Sequence, residues 1–470
     1  MTARTRTLWT FAITSIALFM VSLDNLVVTT ALPVIRTDLD ASLADLEWTV
    51  NAYTLTFAVF LLTGAALGDR FGRRRIFSIG LTVFTLGSVA AALAPTVDAL
   101  NAARAVQGLG GALVMPLTLT LLSAAVTPEK RGLALGAWGG IGGLAIAFGP
   151  VVGGAVVEGI AWQWIFWLNV PIGIVLVPLA LRRLTESHGP AGRLDLPGVA
   201  LASAGLFGIV WGLVRANTEG WASPEIVASL AIGGLLVGAF VAWELRTRAP
   251  MLPMGFFRSA TFSLANLSSL LMFFGMFGSI FLLAQFFQTV QGYSPLGAGL
   301  RILPWTLAPM FIAPLAGALS DRIPPKLIIG TGLALQSIAL AWIALVSTPT
   351  VPYSSLVAPF IVAGVGMALF FAPVANVVLS AVRPEQEGQA SGANNAIREL
   401  GGVFGVAVLA AVFADVGGYE SNQAFSDGMN TAVLVGAAVV AIGAVAAFAI
   451  PGRRSGREMA TARQALVEAA

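Results

Sequence analysis

The sequence predicts an all-α integral membrane protein with two six-helix bundles and two helices inserted between them, fourteen transmembrane helices in total. Three observations predict it. Of 470 residues, 57% are hydrophobic and 10% charged, where soluble domains carry about 25% charge. Apolar stretches of about 20 residues, each long enough to cross a bilayer, recur along the whole chain. The chain also repeats itself: GALGDRFGRRRI begins at Gly64, and GALSDRIPPK begins 253 residues later at Gly317. A membrane helix with its loop takes roughly 30 residues, so six take ~180 and the surplus of ~70 is about two more helices. The expected division is 1–182, 183–258 and 259–470, the last ending in a short tail.

In order, the predicted spans are 8–35, 46–67, 76–94, 99–126, 133–157, 163–181, 196–214 and 225–244. Then come 260–289, 297–319, 327–347, 354–381, 388–415 and 429–450. Arg4 and Arg6 precede an apolar run that reaches Ile35. That run is too long for a cleaved signal and reads as a first helix. An even number of spans puts both termini on one side, and the cations choose the side. Of 26 Lys and Arg, twenty-one fall in one set of loops and the opposite loops hold Arg36, Arg215 and Arg301. Both termini are therefore expected in the cytoplasm.

The 52 glycines fit close helix–helix approach in lipid. No cysteine is present, which excludes thiolate chemistry and disulfides. No soluble module offers a basic face, so nucleic acid is not an expected partner. The one histidine, His188, falls in a loop beside Gly189-Pro190, leaving no imidazole at membrane depth for acid–base work or metal binding. No cofactor or metal is expected.

Four ionisable groups fall inside spans: Asp24, Arg104, Arg398 and Glu399. Each costs ~3 kcal/mol at mid-membrane on insertion scales and marks a wet pathway by default. Asp24 lies midway along the first span. It is either a structural hydrogen-bond partner of a neighbouring helix or a carboxylate that exchanges protons. Burial favours the neutral form of a carboxyl and a nearby cation the ionised form, so such a group can load and unload as its surroundings alternate. Arg104, about two turns into the fourth span, is at a depth from which it can reach Asp24.

The charged stretch between the second and third spans holds Gly64, Gly68, Asp69, Arg70, Gly72, Arg73 and Arg74, echoed by Asp321 and Arg322 in the second half. Its compactness predicts a short loop at a membrane face. Its charges either only orient the chain or form a latch, Asp69 holding arginines and a helix N-terminus of the other half. The fifth span carries Gly149, Pro150, Gly153 and Gly154. Proline kinks a helix and small residues let a neighbour close in, for packing alone or for a packed seam between moving bundles. The ninth span is rich in phenylalanine, with Phe273, Phe277, Phe281, Gln285 and Gln288. These either face lipid or line an adaptable apolar cavity, to which Asn25, Asn51, Tyr53 and Asn376 would add polar groups.

Taken together, these motifs resemble the major facilitator superfamily, and within it the fourteen-helix drug:proton antiporters. The resemblance covers nearly the whole chain. Gly64 to Arg74 resembles the loop motif between helices two and three. Leu23-Asp24 with Ala31-Leu32-Pro33 resembles the first-helix motif of the fourteen-helix group. Arg104, Gln107, Gly108 and Gly110 resemble the fourth-helix motif, whose arginine is tied to proton coupling. Gly149-Pro150 with Gly153-Gly154 resembles the fifth-helix motif of antiporters. Trp162 to Phe166, Asn169-Val170-Pro171 and the run from Arg398 to Ala407 are also similar to this group. Two departures stand out. Dication exporters often carry an acid where this chain has Asn51, and many relatives have a neutral residue where it has Glu399.

The resemblance implies a major facilitator fold and a monomeric plasma-membrane exporter of amphipathic, largely apolar drugs or antibiotics. It would work by alternating access driven by inward protons, with Asp24 and then Glu399 as carriers. Export of a cell-envelope lipid or metabolite uses the same fold and is the nearest alternative. An intramembrane transferase is the remote one, since it would need a histidine or clustered acids at depth.

Overall fold

The computed structural model describes residues 3–126, 128–188, 195–319, 323–383 and 386–451. The first bundle is built from α1 (Ala3–Asp38), α2 (Leu43–Phe71), α3 (Arg73–Ala92), α4 (Val97–Ala125) and α5 (Pro128–Gly159), followed by a sixth span in two pieces, α6 (Trp164–Trp167) and α7 (Asn169–Arg183). The inserted pair is α8 (Leu196–Glu219) and α9 (Pro224–Glu244). Then come α10 (Ala260–Gln285), α11 (Pro295–Leu319), α12 (Pro325–Val346), α13 (Ser354–Ser380), α14 (Glu387–Val416) and α15 (Asn422–Phe448). With α6 and α7 counted as one span, these are the fourteen membrane helices that the apolar stretches predict. Among the described residues, twelve spans meet length and hydropathy limits for crossing a membrane, and α5 and α11 complete the set.

Start signals fall where capping chemistry puts them. Ser42 and Asp45 form a capping box at α2; Thr96, Ser223, Ser259 and Ser421 accept from the first-turn N–H of α4, α9, α10 and α15. The last helix begins seven residues earlier than hydropathy suggests. Its first two turns are polar, and Ser426 and Thr431 spend their hydroxyls on the carbonyls of Asn422 and Asp427. Such back-bonding lets polar residues sit in a helix without a partner elsewhere.

One expectation changes. The charged stretch from Gly64 is not a loop: α2 runs on to Phe71 and α3 starts at Arg73, leaving Gly72 alone between them. Gly72 takes φ +105°, a conformation that costs glycine little, so one residue turns the chain. The helix persists because Asp69 and Arg73 pair across that turn rather than repel.

In the first bundle α4 packs on α2 and α3, and α1 on α5; in the second, α10 packs on α14 and α15, and α12 on α13 and α15. Two seams join the bundles, α5 with α11 and α2 with α14. The inserted α8 lies against α2 and α14, where Trp48 meets Phe207 and Trp211 at 5.6 and 5.9 Å. Beyond it α9 is mostly exposed, as a lipid-facing helix is. At its far end α10 passes into a π-helical turn, Phe286–Val290.

Candidate functional site

Asp24 stands about midway along α1 with its carboxylate fully enclosed. Five spans meet there. Arg104 of α4 donates through Nη1 to Asp24 Oδ2. Gln107, one turn along α4, donates to Asp24 Oδ1 at 3.3 Å, and Asn169 at the start of α7 donates to the same oxygen at 2.7 Å. Ser88 of α3 accepts from both amides, at 2.7 and 3.3 Å. From α2, Thr49 offers its carbonyl to Arg104 Nε at 3.2 Å, and the Tyr53 ring lies 4.3 Å from the guanidinium carbon. The break at Leu168 is what aims Asn169 inward: the sixth span restarts there, and its first side chain points into the bundle.

Thus the structure makes the Asp24–Arg104 contact that their depths allow. Both side chains are at 0% exposure. A buried pair is tolerable only when its remaining lone pairs and protons are satisfied. Here the carboxylate has three donors, while Arg104 Nη2 has no partner. The cluster is therefore complete around the acid and open at one corner of the cation. Gln107 and Asn169 are legible in the family motifs; Ser88 carries no sequence signal of its own.

The second half is built differently. Arg398 of α14 lies between two rings, 4.4 Å from Phe273 and 5.0 Å from Phe371. Phe273 stacks on Phe277 at 5.7 Å, so the guanidinium sits against an aromatic wall. Its neighbour Glu399 forms no ion pair with it and has a buried Oε2 without a partner. Neither Arg398 nor Glu399 hydrogen-bonds or pairs with a residue of the Asp24 cluster, but Glu399 lies within electrostatic reach of Tyr53 at its edge.

The expected cavity residues separate. Asn51 is fully buried with both amide atoms unpartnered, and Asn25 keeps an unpartnered Oδ1. Phe281 and Gln285 are buried deeper in the packing, and Asn376 is exposed. Gln285 accepts from the Tyr419 hydroxyl, and Gln288 donates to the Thr30 carbonyl of α1 at 2.9 Å. These glutamines tie the end of α10 to its neighbours. Burial pushes the Tyr419 hydroxyl well above the usual phenol range, against the pull of Arg36, so it stays a donor. The Arg36 guanidinium lies on the Tyr419 ring, 3.3 Å from its centre, which joins the end of α1 to the α14–α15 loop. Sequence reasoning also missed Glu47. At the margin of its span it reads as a boundary residue, yet it is buried with an unpartnered Oε2 one turn before Asn51.

On α5 the glycines face two ways. Gly149 and Gly153 pack on Leu26, Val27 and Thr30 of α1, and Gly154 lies against the Pro295–Leu296 backbone of α11. At the charged turn, Asp69 pairs with Arg73 at 2.8 Å. The Arg74 N–H donates to Glu186 Oε1 at 2.9 Å, and Glu186 packs around Gly72. Arg70 stacks over Phe71, 5.2 Å away. Gly64 and Gly68 admit the backbone of Ala112 and the side chain of Leu117. Asp321 and Arg322 lie outside the described residues. The partners found here, Glu186 above all, are in the same half of the chain.

Asp69→Asn tests whether those charges do more than orient the chain. The Asp69–Arg73 pair is partly exposed, so its loss should change stability by less than about 1 kcal/mol. Transport is expected to slow several-fold while the amount of folded, inserted protein holds. Unchanged initial rates in vesicles would leave the stretch a purely orienting one.

A bundle of membrane-spanning helices that encloses a hydrogen-bonded ion pair and leaves unpartnered polar groups beside it has the build of a membrane transporter rather than an enzyme. The chain belongs to the Major Facilitator Superfamily, whose model matches residues 14–406 and 265–467. It is similar to the multidrug resistance protein Stp of Mycobacterium tuberculosis, 36% identical over 409 residues, covering 87% of this chain and 76% of that one. It is likewise similar to the tetracenomycin C resistance and export protein of Streptomyces glaucescens, 34% identical over 403 residues, with 85% and 74% covered. In fold it resembles a POT family transporter solved with a thioalcohol-conjugated peptide, with a TM-score of 0.69, 13% identity, and 93% and 94% of the two chains covered.

Proposed function

We propose that this protein is a proton-coupled antiporter that exports amphipathic, largely apolar drugs or antibiotics across the plasma membrane. Relatives named for drug resistance and antibiotic export support the substrate class. The observation that carries the coupling is the enclosed Asp24–Arg104 cluster. Asp24 is the leading proton carrier and Glu399 the second. In the state described here Asp24 is fully engaged by donors, so a proton reaches it only when Arg104 withdraws. Loading is thereby tied to a change of conformation.

The moving parts are the two bundles, 1–182 and 259–470, rocking about a site between them, with 183–258 inserted and both termini in the cytoplasm. Arg36 on Tyr419, Gln288 on Thr30, and Gly154 against Pro295 all lie at the end opposite the arginine-rich loops. That clustering supports a state shut toward the outside. The protein works as a monomer on this reading.

Inverted vesicles carrying a panel of dyes, antibiotics and lipids test it. Accumulation should collapse when an uncoupler removes the proton gradient. The chain has no Gly-Lys-Ser or Gly-Lys-Thr phosphate loop, and ATP-driven accumulation with the gradient abolished would overturn the reading.

A further inference from the structure

The inserted helices end on two acids that the transport cycle does not use. Asp195 caps α8: its Oδ1 accepts from the Gly198 N–H at 2.9 Å and from the Trp243 indole at 2.7 Å. Glu244 closes α9, and its Oε2 accepts from the Leu252 N–H at 3.0 Å. One oxygen is left on each, Asp195 Oδ2 and Glu244 Oε1, buried and without a donor. The residues themselves are only 9% and 3% exposed. The two free oxygens crowd one point: a Cβ added to Gly198 would lie 2.5 Å from the first and 2.8 Å from the second. Glycine at 198 is what leaves room for them to face each other.

Among the described residues no cation compensates the pair; Arg193 lies outside them. Among the described residues the ion pairs involve neither carboxyl. Arg246, Arg248 and Arg258 lie nearby in the chain but are exposed. Of the helices packed against α8, α2 meets it with Leu55 and Val59 and α14 with Val403 and Ala407, all apolar, while the Glu225 of α9 that pairs with Arg215 lies at the opposite end of α8. Two carboxylates removed from water, oxygen to oxygen, cannot both stay ionised; one proton between them replaces repulsion with a hydrogen bond.

We propose that Asp195 and Glu244 share one proton and thereby clamp the linker 245–259 onto the seam between α2 and α14, as a pH-operated fastening. The linker reaches that seam directly. Thr63 of α2 donates to Met251 Sδ at 3.7 Å, and Met251 and Leu252 pack on the apolar cluster that α2, α8 and α14 form there. When the pH rises the shared proton passes to solvent, both carboxylates ionise, and the bond from Leu252 to Glu244 is given up as the linker leaves. The clamped state holds one proton more than the released state. It is full in acid and falls about tenfold per pH unit above its midpoint. Nothing in this depends on the substrate or on proton-driven transport.

The test is tryptic cleavage at Arg246 and Arg248, in purified full-length protein in nanodiscs, between about pH 6 and about pH 9. Glu244→Gln is the reference. Its amide can donate to Asp195 Oδ2 and accept from Leu252 without any titrating proton, so it stays clamped. Relative to that variant, wild-type cleavage should rise about tenfold per pH unit as the clamp opens. Glu244→Ala should be cut readily at every pH. Should that variant fail to fold, wild type against Glu244→Gln still decides. Identical pH profiles for those two would overturn the proposal. So would protection that follows added sodium or calcium at constant pH, since the pair would then hold a metal ion instead of a proton.

Discussion

Asp24→Asn is expected to abolish uphill export while substrate binding stays within about threefold, because an apolar cavity supplies most of the affinity. The cluster adds a stability cost. Removing the carboxylate strands Arg104 in a fully buried position, and breaking such a pair costs about 3–5 kcal/mol. A transport defect in Asp24→Asn alone would therefore be ambiguous. The double variant Asp24→Asn with Arg104→Gln removes both charges and should regain most of the lost thermal stability. Export should remain abolished in the double variant, with no substrate-induced proton release from purified protein. A double variant that exports normally would make the pair a structural fastening only. Proton release that persists in Asp24→Asn would move the coupling role to Glu399, whose unpartnered oxygen lies in the other half.

Gly154→Val is expected to cut export at least tenfold in inserted protein, an estimate that takes the strain to be of the size overpacked cores show. The added Cβ would lie 2.6 Å from Leu296 Cα. Side chains cannot yield there, because the obstacle is α11 backbone. The helices α5 and α11 must separate along the seam that joins the two bundles. Overpacking of that kind costs about 1–3 kcal/mol, which a bundle of this size survives. If the bundles rock as proposed, the seam is less forgiving, since the close approach must be remade in every cycle. Gly159→Ala, on the same helix with nothing within 4 Å of its Cβ, is the control and should export normally. Wild-type rates in Gly154→Val, with folding confirmed, would reduce the α5 glycines to ordinary packing.

How much of this was legible in the sequence depends on whether the signal is local. Hydropathy and cation asymmetry act over one span at a time, so the fourteen helices could be read directly. Asp24 and Arg104 stood out because charge inside an apolar run is costly. Ser88 is different: a serine in a membrane helix is unremarkable until Gln107 and Asn169 arrive from other spans. Glu186 looks like a loop acid until Gly72 turns the chain toward it. Glu47 and Glu244 each sit near the end of a span, where hydropathy counts a charge as harmless; only packing shows that both are buried. The Gly64 motif misled in the opposite sense. Its charges suggested a loop, but the i, i+4 spacing of Asp69 and Arg73 suits a helix interrupted by one glycine.

The π-helical turn at Phe286–Val290 gives α10 one residue more than an α-helix of that length needs. Such a surplus is mobile in principle as a dislocation is in a crystal: hydrogen bonds exchange partners one at a time and the defect travels. Each residue is worth about 100° of azimuth in a helix. Passing the defect toward the middle of α10 would screw the segment it crosses by about that angle, without lengthening the helix or moving its start. Phe273 and Phe277, the wall against Arg398, lie further back on that same cylinder. The second half thus carries, at the end of α10, a surplus residue whose migration would re-aim that aromatic surface by torsion alone, with no hinge.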